Sequence, residues 1–205
     1  MNYLLCAVIG YLLGSFPTAY IILKRTRNLD ITKTGSGNVG AMNSFETSGS
    51  SIIGILVFLI DALKGLISVY VCLLIFPAQF IYPAVALFFA VFGHCFNPWL
   101  RFKGGRGLAT ATGGTVLLSP LIPALWCILW VLVYLFKRDI LFANITAIIL
   151  TILLTISSTE TLYNYSYPTP GSFGTLLMFC VGLLIIIFIK HIDPLKDIID
   201  KYQST

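Results

Sequence analysis

Two glycine-rich stretches carry the residue types best able to do chemistry. The first, GSGNVGAMN at 35–43, spaces glycines at 35, 37 and 40 so that backbone N–H groups can converge on an anion, with Ser36 and Asn38 as added side-chain donors. It formally matches the dinucleotide fingerprint G-x-G-x-x-G, but no strand precedes it and no βαβ unit fits so apolar a chain. What survives is anion binding. The second stretch, GHCFNPWLRFKGGRGLAT at 93–110, sets Lys103, Gly104, Gly105, Arg106 and Gly107 directly before a short helix expected to start near Leu108. Free N–H groups, a favourable dipole and two cations at a helix N terminus make a phosphate site. Phosphate ligands are therefore expected among Ser36, Gly37, Gly40 and Asn43 of the first loop and Lys103 to Gly107 of the second.

Four other titratable residues stand out. Asp61 and Lys64, at i and i+3 inside an apolar run, are expected to pair, because a lone charge at mid-membrane costs about 2.5–3.5 kcal/mol on insertion scales. That reading makes them a structural ion pair. His94 and His191 both fall at the basic ends of apolar runs, where an imidazole can bond a phosphate or a helix end. The five cysteines show no C-x-x-C or Cys/His spacing, so neither a metal site nor a disulfide framework is expected, and no cofactor is implied.

The elements that must position these residues are membrane helices. Of 205 residues, 58% are hydrophobic and 10% charged, against about a quarter charged in a soluble domain. The net charge of +5 is scattered in pairs and triplets between apolar runs, a pattern that orients a membrane protein rather than binding nucleic acid. The runs expected to span are Tyr3 to Leu23, Ile52 to Phe76, Phe80 to Phe92, Ile140 to Ile156 and Phe173 to Ile189. Residues 107–136 are too few for two full spans of ~20 residues, and Pro120 to Pro123 marks a hairpin of short or tilted helices. Its first arm, Leu108 to Leu118, is rich in small residues suited to close packing. The expectation is an all-α, single-domain bundle over residues 1–205 with about seven crossings, N-out and C-in. Twelve of the thirteen Lys and Arg then lie on the cytoplasmic side, Lys64 being the exception. Residues 24–51 and 157–171 read as loops, and Asp193 and Pro194 as the start of a short interfacial helix. On that helix Leu195, Ile198, Ile199 and Tyr202 would oppose Lys196, Asp197 and Asp200.

Taken together, Gly14 and Ser15, the GSGNVGA loop, DALKG at 61–65, the GH…FKGGRG…AT block, Lys137 with Arg138 and the Lys190–His191 pair resemble the bacterial acyl-phosphate-dependent glycerol-3-phosphate acyltransferases. The resemblance implies a seven-span helical enzyme of the bacterial cell membrane with its site on the cytoplasmic side. It also implies that an acyl phosphate acylates the first hydroxyl of glycerol 3-phosphate, giving lysophosphatidic acid. In that reading the glycine loops bind phosphates, Lys103 and Arg106 neutralise them, and His94, His191 and Asn38 are the catalytic residues that orient the acceptor. The partners are the two substrates and membrane lipid. The His-x4-Asp pattern of other acyltransferases is absent, since positions 99 and 196 are Trp and Lys.

The chain departs from the family pattern at several positions. Met42 stands for a usual Thr, Glu46 for Arg, Asn97 for Pro, Leu141 for Ser, and Asp193 and Pro194 for Glu and Asn. Arg106 for Lys keeps the cation. Acceptor contacts are thus expected to differ more than donor contacts. The alternatives are a divergent paralogue with a changed acceptor or no activity, and an anion transporter. The transporter reading is weak, because the outer halves of the spans are apolar and the outer loops hold no cation.

Overall fold

A computed structural model describes residues 1–203, with side chains described through Ile192 and at Pro194 and Leu195. Ten α-helices follow in order: α1 Asn2–Gly14, α2 Thr18–Arg27, α3 Ala41–Ser48, α4 Ser51–Ile75, α5 Ile81–Cys95, α6 Leu108–Leu118, α7 Leu121–Lys137, α8 Ile140–Ser157, α9 Thr159–Asn164 and α10 Phe173–Gln203. Single 3-10 turns stand at Ile31–Lys33 and Pro98–Leu100, and the described residues contain no strand. Five helical segments are long and apolar enough to cross a bilayer: Asn2–Arg27, Ser51–Ile75, Ile81–Leu100, Ile140–Ser157 and Phe173–Ile192. Two shorter apolar helices, α6 and α7, form the hairpin.

Several elements differ from the sequence expectation, each for a local reason. The first apolar run is not one rod. Pro17 has no N–H and its ring clashes with the preceding turn, so α1 ends at Gly14 and α2 begins at Thr18. The supposed loop 24–51 contains the end of α2 and all of α3, and the outer loop 157–171 contains α9. The hairpin turns at Ser119 and Pro120 alone. Pro123 lies in the first turn of α7, where its missing N–H leaves no intrahelical bond unmade. The chain does not break at Asp193: α10 runs through to Gln203 with Pro194 inside it, so no separate helix starts there. The facing pattern read over 196–202 lies outside the described side chains. Four of the five free cysteines are buried as small apolar groups, whereas Cys127 on α7 is exposed.

Close packing of small residues joins the helices. Gly10 and Gly14 on α1 lie against the backbone of Ala86 and Ala90 on α5, so closely that a Cβ at either glycine would sit on a carbonyl oxygen. Gly65 on α4 faces the Thr110 carbonyl, and Gly113 on α6 faces that of Ala62. Without a hydrophobic drive between helices in lipid, such approach is the main source of association. The core between α5, α6, α8 and α10 is filled by Leu87, Val91, Leu118, Ile148, Leu176 and Ile187.

Candidate active site

The two glycine loops meet. Val39 N–H donates to the Gly104 carbonyl at 3.3 Å, and Gly105 N–H donates to the His94 carbonyl at 3.2 Å. The C-terminal part of α10 closes the third side. Between them lies a cavity of about 260 Å³ lined by Ser36, Gly37, Asn38, Lys103, Gly104, Arg106, Lys190 and Pro194. Three cations thus border one space, and no carboxylate of a described residue lies within 4.0 Å of any of them.

The first loop is shaped by its own side chain. Asn43, buried at the start of α3, donates from Nδ2 to the carbonyls of Thr34 (3.1 Å) and Asn38 (2.9 Å) and accepts from Ser36 N–H (3.1 Å). Both of its polar groups are spent on the loop, so Asn43 does not line the cavity. Gly35 and Gly37 take positive φ of 61° and 69°, which frees the loop to curl around that amide. Gly40 opens α3 and accepts from Ser44 N–H at 3.0 Å, again outside the cavity wall.

The second loop is shaped by the membrane core beneath it. Gly105 and Gly107 are buried behind the wall that Lys103, Gly104 and Arg106 form. Gly107 takes φ 88° and accepts from Ala111 N–H at 2.9 Å as the N-cap of α6, whose first N–H groups are free of intrahelical partners. Burial pushes the Arg106 guanidinium below its ordinary value, while the exposed Glu46 carboxylate on α3 acts in the opposite sense. A desolvated cation of this kind gains most when an anion arrives.

Neither histidine lines the cavity. His94 lies behind Gly105, its Nδ1 3.2 Å from Lys64 Nζ and 3.9 Å from Asp61 Oδ1. The buried Asp61–Lys64 pair closes to 2.8 Å, and Lys64 also donates to the Phe16 carbonyl at 3.0 Å, beside the helix break at Pro17. His191 is fully buried: Nδ1 lies 2.8 Å from the Ile187 carbonyl, and Nε2 3.5 Å from Asn144 Nδ2, whose amide oxygen accepts from Trp130 Nε1 at 2.7 Å. Since a carbonyl can only accept, Nδ1 of His191 carries the proton and Nε2 accepts.

Sequence reasoning missed Lys190 as a wall residue. Its signal was present as the cation beside His191, but only the packing of α10 brings it to the loops. Lys190 Nζ lies 5.0 Å from the Phe96 ring, which keeps the ammonium at the rim. Asn97 was also undervalued: it donates to the Ser15 carbonyl at 2.6 Å and accepts from Trp99 N–H at 3.0 Å, tying the second loop to the break in the first span.

An all-helical membrane protein with a three-cation cavity at one end of its bundle is the class these features define. The family model for glycerol-3-phosphate acyltransferase matches residues 4–201. The chain is 32% identical over 184 residues to the glycerol-3-phosphate acyltransferase of Wolbachia pipientis wMel, covering 90% of this chain and 88% of the relative. It is 31% identical to that of Endomicrobium trichonymphae, covering 98% and 94%. It superposes with TM-score 0.80 and 28% identity on the crystal structure of PlsY, an integral membrane glycerol 3-phosphate acyltransferase, in its glycerol 3-phosphate form, covering 98% and 94%. The PlsY lysophosphatidic acid form superposes with TM-score 0.78. This chain belongs to the glycerol-3-phosphate acyltransferase family.

Proposed function

We propose that the chain transfers a fatty acyl group from an acyl phosphate to the first hydroxyl of glycerol 3-phosphate, releasing lysophosphatidic acid and phosphate. The observation that carries this reading is the convergence of both glycine loops and Lys190 on one cavity. The relatives' names and the two PlsY forms support the acceptor and product. The donor is argued from chemistry. An acyl phosphate is already a mixed anhydride, so a site built of fixed donors and cations suffices and no strong protein nucleophile is needed. The hydroxyl oxygen attacks the carbonyl carbon, the C–O bond to phosphate breaks, and the departing phosphate accepts the hydroxyl proton.

In this scheme Lys103 and Arg106 neutralise the donor phosphate as its charge grows, and Lys190 faces the acceptor phosphate. Ser36 and Asn38 bond the reacting oxygens. His94 and His191 act from behind the wall, each holding one of its elements. The single domain spans residues 1–205, with seven crossings, N terminus outside and the cavity on the cytoplasmic side of a bacterial cell membrane. Support for the orientation is the concentration of twelve of thirteen Lys and Arg on one side of that topology.

The test is acyl transfer from palmitoyl phosphate to labelled glycerol 3-phosphate by the purified protein in lipid, with Lys103→Ala as control. Product that disappears in the variant is expected. Absence of product with acyl phosphate still bound would favour the second reading, a changed acceptor, which the carboxylate of Glu46 acting on Arg106 motivates.

A further inference from the structure

The membrane-embedded Asp61–Lys64 pair does more than neutralise itself. A lysine ammonium has three donors and no acceptor. Here Asp61 Oδ1 lies 2.8 Å from Nζ as an ion-pair contact without hydrogen-bond geometry, while one donor goes to the Phe16 carbonyl at 3.0 Å and one to His94 Nδ1 at 3.2 Å. His94 Nδ1 must therefore accept, which leaves the imidazole proton on Nε2. That edge of the ring lies against Gly105, where a Cβ would overlap Nε2 and come within 2.9 Å of the Val39 carbonyl. The imidazole thus sits at the seam where the two glycine loops join, below the Val39–Gly104 and Gly105–His94 backbone bonds.

We propose that Lys64 is a positioning residue, set by Asp61 and the Phe16 carbonyl, that fixes His94 in its Nε2–H form and so holds the two phosphate loops in register. The proposal rests on the acyltransferase reading only for its kinetic consequence. The tautomer and the phosphate affinity are independent of that reading. Three separated segments are joined: the break after α1, the middle of α4 and the end of α5. A purely structural ion pair would need neither the histidine nor the Phe16 carbonyl, which already accepts from Thr18 N–H at 2.9 Å.

The chain has two histidines, which makes the test direct. The full chain, labelled with 15N-histidine in lipid nanodiscs, is examined by 15N NMR, with inorganic phosphate titration and steady-state kinetics alongside. The two residues are expected in opposite tautomers: His94 protonated on Nε2 and His191 on Nδ1. Lys64→Met leaves a lone buried carboxylate and can fail to fold, so the deciding variant is the neutral double Asp61→Asn with Lys64→Met. It is expected to keep a near-native unfolding temperature and the His191 spectrum. It is also expected to lose the single His94 tautomer and to weaken phosphate binding about tenfold, the scale of one lost charge-assisted hydrogen bond. At saturating donor, kcat falls with it.

Wild-type His94 protonated on Nδ1 overturns the proposal, as does a double variant that folds with native phosphate affinity. If the double variant fails to fold, Lys64→Arg decides. It keeps the charge but sets its donors on a wider head, so a lost tautomer together with tenfold weaker phosphate binding supports positioning, and either change without the other overturns it. If wild type binds phosphate with the expected tautomer but transfers no acyl group, the acyltransferase reading falls and the positioning role stands.

Discussion

The first glycine loop, residues 35–43, and the second, residues 103–107, serve one cavity but are held in place differently. The first is self-contained: the Asn43 amide gathers Thr34, Ser36 and Asn38 around itself within ten residues of chain. The second has no such clamp. Its shape comes from His94 and Cys95 pressed under Gly104 and Gly105, and from the Lys64 contact to His94 across thirty residues of sequence. One loop is specified locally and the other by the packed core. Damage to the first should therefore appear in binding, and damage to the second in both binding and stability.

The largest effect that would break this contrast is expected at Gly105→Ala. The added Cβ meets His94 Nε2 in a buried position, and overpacking of this kind costs about 1–3 kcal/mol of stability. Displacement of the neighbouring cations by even ~1 Å can lower turnover about 100-fold. Thermal unfolding and kcat should fall together, and a variant of normal stability and rate would show that the second loop is not core-supported. Next comes Asn43→Ala. Loss of a buried amide that satisfies three loop groups is worth about 1–3 kcal/mol locally, so KM for glycerol 3-phosphate should rise about five- to 150-fold. The unfolding midpoint of the bundle should move less than in Gly105→Ala.

Two smaller effects, one on α10 and one on α3, sharpen the comparison. Lys190→Gln removes a partly exposed cation worth up to about 1 kcal/mol, so KM rises up to fivefold and the rise shrinks in high salt. Glu46→Gln removes the carboxylate that acts on Arg106 from an exposed site on α3. Phosphate affinity is expected to improve about twofold, again by less at high salt. Weaker binding instead would mean that Glu46 helps to hold the acceptor.

The bundle was largely readable because its spans are long and apolar. The ends of α4, α8 and the α6–α7 hairpin fall within a residue or two of where hydropathy and proline place them. Pro17 was visible as well, but an apolar run either side of it hid the break. α3 was missed because AMNSFETS carries no apolar period. It is held instead by packing on α4, with Phe45 against Gly54, while the Ser44, Thr47 and Ser48 hydroxyls bond back to carbonyls four residues earlier and so do not compete for its N–H groups. In the site, the cations and glycines of the two loops were legible from type and order. The place of Lys190 and the buried partners of both histidines were not, because they depend on contacts between helices far apart in sequence.

The central claim is that the two loops form one phosphate site. A double-mutant cycle of Asn38→Ala and Lys103→Gln, read as palmitoyl phosphate affinity in lipid, tests it most directly. Groups acting on one bound ligand should couple by about 1 kcal/mol or more, so the double variant binds far better than the two single losses combined would allow. Losses that simply add, within about 0.5 kcal/mol, would show that the loops act on separate sites and would contradict the account.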